Sequence, residues 1–255
     1  MRILQTAKAE RRSTGVKKND FLQLLIDAAE IEKDDTNDSE KKAKVCLDDD
    51  TIDAQTLLFL LAGYETSSTL LSFATHVLAT KPELQDKLRQ HIEKETSGKE
   101  MSYDLLSQLT YLEGFLLETL RMYPPVSRVD RICVKPYTLP GTSVQLNVKD
   151  AVAIPIYGIH MDPDYYPEPH EFRPERFIGD AKKERPSHLF LAFGAGPRNC
   201  IGLRFAMFSA KLAMVTLLKT FKFSVCSKTN DPIQIDKRAF LLKADGGLWV
   251  RLEKL

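Results

Sequence analysis

The sequence has almost no excess of charge of either sign: 36 Lys and Arg stand against 35 Asp and Glu, a formal net charge of +1 over 255 residues. The two signs are mixed along most of its length, so no electrostatic footprint for nucleic acid stands out. Cysteine is scarce too. Cys46, Cys133, Cys200 and Cys226 are far apart and form no C-x-x-C pair, which speaks against a zinc ribbon or a disulfide framework and for a reducing or cytosol-facing setting. The opening MRILQTAKAERR lacks the apolar centre of a signal peptide, and no uninterrupted apolar stretch reaches bilayer-spanning length. There is no internal repeat and, beyond one acidic stretch, no low-complexity segment.

What is present suits a folded domain. Hydrophobic residues make up 43% of the sequence, enough to bury a sizeable core within one domain. Asp20 can cap a short helix through Phe21, Leu22, Leu24, Leu25 and Ile26, and residues 30–50, rich in Asp, Glu, Lys, Ser and Asn, read as a solvated loop. A long helix over residues 51–80 is nearly uncharged, with Glu65 as its one interior acid beyond the first turn. That composition predicts burial in a large protein.

Pro82 opens an amphipathic helix through Leu84, Leu88 and Ile92; a segment over 104–109 leads into a helix with Leu112, Leu116, Leu120 and Tyr123 on one face, ended by Pro124 and Pro125. Runs at 129–134, 143–148 and 151–156, broken by Pro140-Gly141 and Lys149-Asp150, predict a small sheet. In the last long helix Leu203, Met207, Ala210, Met214, Leu217 and Phe221 keep helical spacing, and the tail predicts strands with a hairpin at Asp245-Gly246-Gly247.

Three groups of residues carry chemistry. In FGAGPRNCIG, residues 193–202, glycines allow a tight turn that sets Cys200 at the mouth of a helix, where unpaired N–H groups and the helix dipole favour a negative sulfur. Glu118 and Arg121 lie three apart on one helix and can pair; Leu116, Leu117 and Leu120 surround them, so a buried pair with a further partner is expected. In AGYET, residues 62–66, a glycine and an acid interrupt the longest apolar helix, and such a local violation often marks function.

The decapeptide resembles the cysteine-ligand signature of the cytochrome P-450 family, F-x-x-G-x-R-x-C-x-G, at every fixed position. The resemblance implies Cys200 as the axial thiolate ligand of a haem iron and Phe193 packed on the thiolate side. It also implies Arg198 on a haem propionate, and Gly194 and Gly202 shaping the loop around the cofactor. PERF at 174–177 resembles the family segment that adds Arg176 to the Glu118 and Arg121 pair as a structural network, and Arg131 matches a second propionate-binding arginine. AGYET resembles the distal A-G-x-[DE]-T motif: Ala62 and Gly63 leave room for dioxygen, while Glu65 and Thr66 organise water and deliver protons. A water-chain gate at Glu65 is an equally open reading. Ala192 stands where the family often has proline, which bears only on loop rigidity.

The implied fold is the C-terminal part of the cytochrome P-450 fold, mainly α with a small β subdomain: residues 1–255 as a single partial domain, with 30–50 as a loop within it. The wording is most similar to microsomal animal enzymes, particularly insect ones that oxidise foreign compounds. The implied activity is haem-thiolate monooxygenation, inserting one oxygen atom of O2 into a small lipophilic substrate, xenobiotic or lipid-like. Haem b would be the cofactor, and electrons would come from NADPH through a flavoprotein reductase, with cytochrome b5 as an additional donor. No nucleic-acid partner is implied. The family places such enzymes on the cytoplasmic face of the endoplasmic reticulum membrane, through an anchor not found in this sequence. Members are nearly twice as long, so the chain reads as a fragment or truncated product, and a non-catalytic haem-binding or interaction remnant is the alternative. Apolar candidates for the substrate pocket are residues 59–66, 126–129 and 240–242.

Overall fold

The computed structural model describes residues 2–35 and 47–255, which fall into two compact units, Met1–Glu65 and Thr66–Leu255. The N-terminal unit contains α1 (Arg2–Thr14), α2 (Phe21–Asp35) and the first half of α3 (Asp49–Thr80). The Asp20 side chain caps α2 by accepting from the Gln23 N–H at 3.0 Å. Arg11 forks onto the same carboxylate at 2.6 Å, and this hydrogen bonding holds Asp20 down to about 2. Leu22, Ile26, Ala29 and Ile52 form a small core, beside which Lys8 and Asp53 pair almost out of reach of solvent.

Two expectations for this unit are corrected. Helix α2 runs on to Asp35, so residues 30–35 are helical and not loop; residues 36–46, Cys46 among them, lie outside the described residues. Helix α3 is not buried throughout, since Leu57, Leu58, Phe59, Leu60 and Leu61 are 37% to 65% exposed. By length and averaged composition alone α3 also passes as a membrane-crossing helix, although it contains no unbroken apolar run of spanning length. The expectation asked for an unbroken apolar run; averaged over a window, Glu65 and its polar neighbours weigh too little to disqualify the helix.

The C-terminal unit is built on helical periodicity. The second half of α3, α4 (Pro82–Thr96), α5 (Tyr103–Gln108) and α6 (Thr110–Met122) precede the small strands. Leu70, Ala74, Val77, Leu88, Ile92, Leu112, Leu116, Leu120, Met214 and Leu218 recur at three- and four-residue steps and close into one core. Pro82 sits at the start of α4, and Ser102 caps α5 by accepting from the Leu105 N–H at 3.2 Å.

Then β1 (Val129–Ile132) pairs antiparallel with β4 (Ala151–Ile154), and β2 (Tyr137–Thr138) with β3 (Gln145–Leu146), so the expected sheet is two separate ribbons. The register sets Arg131 opposite Val152. After α7 (Ile156–His160), a 3-10 turn at Pro174–Phe177 and α8 (Gly179–Glu184), the helix α9 (Leu203–Thr220) runs straight into β5 (Phe221–Ser224). Phe221 is thus extended and not the last helical position, although its N–H still donates to the Leu217 carbonyl. Strand β6 (Arg251–Lys254) pairs with β5. Residues 245–247 do turn, with Gly246 and Gly247 at positive φ, but among the described residues only the bridge Ile235 to Ala244 flanks that turn.

Candidate functional site

The loop ahead of α9 is shaped by backbone bonds. Gly194 and Gly196 adopt φ of 71° and 72°, a region that costs other residues strain. The Cys200 N–H donates to the Phe193 carbonyl at 2.7 Å, closing the loop, and the Gly194 N–H donates to the Leu191 carbonyl at 2.9 Å. Gly202 caps α9, and a side chain there would meet the Cys200 Sγ at 3.9 Å.

Cys200 is exposed and borders a cavity of about 310 Å³. The same cavity is lined by Arg131, Arg198, Phe193, Gly194 and Thr66, with apolar walls from Leu70, Leu120, Val126 and Val129. Five residues from three distant motifs therefore face one space together with Cys200. Ala62, Gly63 and Glu65 are exposed on α3 and belong to the N-terminal unit. Of the expected pocket residues, Val126 and Val129 line the cavity, whereas Phe59 stacks on Phe21 at 4.0 Å in the N-terminal unit. Phe240 is 95% exposed, and Leu242 packs with Phe73 and Ala244. Around Phe240, hydrophobicity alone could not separate a pocket wall from an exposed loop.

Behind the loop lies a buried ionic network. Arg121 Nε and Nη2 donate to Glu118 Oε2 and Oε1 at 2.7 and 2.8 Å, and its Nη1 and Nη2 donate to the carbonyls of His160 and Pro169 at 2.9 and 2.8 Å. Glu118 Oε1 also accepts from the Arg173 N–H at 2.9 Å. Both side chains are fully buried. Arg176 Nε lies 3.4 Å from Glu118 Oε1, close enough for an ion pair but outside hydrogen-bond geometry. The Arg176 Nη2 donates to the Pro167 and Glu168 carbonyls. Removal from water lowers the pKa of Arg176, against the pull of Glu118.

Two residues that sequence reasoning missed complete this support. His160 Nε2 accepts from the Leu191 N–H at 2.9 Å, so its proton must sit on Nδ1, which donates to the Arg121 carbonyl at 3.1 Å. Burial lowers the His160 pKa to about 4, and the ring stacks on Phe190 at 5.3 Å. In the sequence His160 is a lone histidine before an Asp-Pro turn, a weak signal. Gly114 is the other: a Cβ there would stand 2.8 Å from the Pro174 carbonyl oxygen, so glycine lets α6 approach the turn carrying Arg176.

The Cytochrome P-450 family profile matches residues 1–250. Cytochrome P-450 9e2 of Blattella germanica is 43% identical over 252 residues, covering 96% of this chain and 47% of that protein. Cytochrome P-450 6a8 of Drosophila melanogaster is 39% identical, over 99% of this chain and 50% of that protein. Cytochrome P-450 3A6 of Oryctolagus cuniculus is 41% identical, over 87% and 43%. The chain spans about half the length of the curated relatives it matches. With its mainly helical fold, small strands and a profile match across nearly its whole length, the chain belongs to the cytochrome P-450 family.

Proposed function

We propose that this chain is the haem-binding part of a haem-thiolate monooxygenase acting on a small lipophilic substrate, xenobiotic or lipid-like. The observation that carries the proposal is the meeting of Cys200, Arg131 and Arg198 on one apolar-walled cavity. That donor set fits haem b: one thiol for the iron, two guanidinium groups for two propionates, and Leu70, Leu120, Val126 and Val129 for the flat hydrocarbon faces. When bound, haem supplies activation of dioxygen, with the thiolate favouring O–O cleavage.

The chain's own residues then have distinct tasks. Cys200 offers sulfur from a loop whose two positive-φ glycines and Phe193 carbonyl bond fix its direction. Phe193 packs beside it, Gly194 keeps the loop backbone close to the cavity, and Gly202 leaves space behind the sulfur. Thr66 lines the same cavity and presents a hydroxyl for passing protons. The family motif assigns Ala62, Gly63 and Glu65 to the same task one turn earlier on α3. Glu118, Arg121 and Arg176 hold the structure behind the loop.

Electrons would come from NADPH through a flavoprotein reductase, with cytochrome b5 as an additional donor. The setting would be the cytoplasmic face of the endoplasmic reticulum membrane, with residues 1–255 as part of one larger domain. The single family profile over residues 1–250 and the named relatives support these assignments. A second reading, a haem-binding or interaction remnant without turnover, is favoured by the exposed apolar run Leu57, Leu58, Phe59, Leu60 and Leu61.

The test is a carbon monoxide difference spectrum of the haem-loaded, reduced chain. A thiolate-type Soret band is expected, and Cys200→Ser should abolish it because a hydroxyl is a poor substitute for a thiolate ligand. Retention of the band in the variant would end the assignment of Cys200. Native ligation without turnover, once a reductase and the rest of the fold are supplied, would favour the remnant.

A further inference from the structure

Of all the serines and threonines in the sequence, Thr14 alone has an arginine three residues before it, and a second arginine stands two before. This Arg-Arg-x-Thr spacing suits an arginine-directed protein kinase, whose substrate groove holds two guanidinium groups on carboxylates. Ser13, in the same run, has Glu10 three before it and is out of register.

The structure puts the Thr14 hydroxyl within reach. Thr14 ends α1, Gly15 follows at a φ of 66°, and residues 15–18 have no regular secondary structure. Every residue from Arg12 to Asp20 is exposed. The Thr14 hydroxyl makes local bonds, donating to the Glu10 carbonyl at 2.8 Å and accepting from the Val16 N–H at 3.3 Å. Opening the last turn of α1 breaks these without touching the small core formed by Leu22, Ile26, Ala29 and Ile52. Arg11 and Arg12 are forked onto Asp20 and Asp49. Both acids are exposed, and pairs of that kind are weak enough to exchange for other anions.

We propose that Thr14 is a phosphorylation site for an arginine-directed protein kinase, and that the phosphate draws Arg11 away from Asp20. The γ-phosphoryl group of ATP passes to Thr14 Oγ1, the hydroxyl proton is lost and ADP leaves. The product carries a charge of about −1.5 to −2 at pH 7 and offers its oxygens to a guanidinium one helical turn away. It also stands at the negative end of the α1 dipole, where an anion is disfavoured. The last turn of α1 therefore loosens, and Asp20 is left capping α2 without its arginine. None of this depends on the reading of Cys200.

The test is incubation of the folded chain with ATP, magnesium and the catalytic subunit of a cyclic-nucleotide-dependent kinase, with phosphate counted by intact mass and located by peptide fragmentation. A single phosphate on Thr14 is expected. Thr14→Ala should lose it, Thr14→Ser should keep it, and Ser13→Ala should be labelled like the parent. An acid-directed kinase should leave Thr14 unmodified. The phosphorylated chain should melt at a lower temperature than the untreated one, while treatment should leave the melt of Thr14→Ala unchanged. No label, label that appears only once the chain is unfolded, or label that persists in Thr14→Ala overturns the site. An unchanged melt after modification of the parent overturns the displacement of Arg11.

Discussion

The network around Arg121 and the loop carrying Cys200 are neighbours built on opposite rules. Arg121 and Glu118 are wholly buried, and their charges are met by each other, by four carbonyl or amide groups of distant segments and by Arg176 nearby. Cys200, Arg198 and Asn199 are exposed, and short-range backbone bonds shape their loop. Rigidity is concentrated behind the loop while its front stays open to a cavity. His160 joins the two, holding the Arg121 carbonyl with one nitrogen and the Leu191 N–H with the other. A ligand-bearing loop with few contacts of its own can be held in one geometry by a support in which nearly every polar group is satisfied.

The sharpest way to break this contrast is to remove one charge from the support. Glu118→Ala or Arg121→Ala leaves the other charge buried without its main partner, and should cost about 3 to 5 kcal/mol. Denaturant unfolding of the chain measures it. Haem content should fall with the folded fraction. A loss below about 1 kcal/mol would mean that the pair behaves like a surface bridge.

The next effect acts on the joint through pH. His160 is held down to about 4 in the folded chain, whereas an unfolded histidine titrates near 6.5. Between these values the unfolded chain binds a proton that the folded chain does not, so stability falls as pH drops from about 6.5 towards 4 and this contribution levels off below. A shift of this size corresponds to roughly 3 to 3.5 kcal/mol. His160→Gln should flatten this part of the stability profile. An unchanged profile in the variant would assign the acid sensitivity to other groups.

A smaller effect is expected where α6 meets the turn at Pro174–Phe177. In Gly114→Ala the new methyl would press on the Pro174 carbonyl oxygen and the Ile178 side chain, both under 3.0 Å away. Forcing them apart should cost about 1 to 3 kcal/mol. The gain in helix propensity, about 1 kcal/mol, works the other way. A thermal melt no lower than that of the parent would show that the turn yields freely.

What was legible in the sequence follows the same division. The helices around Leu88, Leu116 and Met214 could be read because a 3.6-residue period writes the buried face directly into the chain. The ten-residue motif at Cys200 could be read because its glycines and proline dictate the turn locally. His160 and Gly114 could not: one acts through two backbone groups 31 and 39 residues away, the other through a turn about 60 residues on. Ribbon pairing and the exposure of Leu57 to Leu61 depend on which segments come to lie alongside, and apolar composition does not encode that.

The weakest expected effect on stability separates the open front from its support most cleanly. Thr66 lines the Cys200 cavity and has no part in the bonds that fix Arg121 or His160. Thr66→Ala keeps a good helix former at a half-buried site and removes one hydroxyl, so stability should move by about 0.5 kcal/mol or less. Haem content and the carbon monoxide spectrum should survive, because nothing that holds the loop has changed. What should fail is proton delivery, measured in a chain extended to the length of its relatives and supplied with reductase. Product formed per reduced nicotinamide consumed should drop, and hydrogen peroxide should rise to match. If coupling equals that of the parent with several substrates, the hydroxyl at Thr66 moves no protons. The cavity front would then be a surface of shape alone, and its chemistry would have to come from elsewhere on α3.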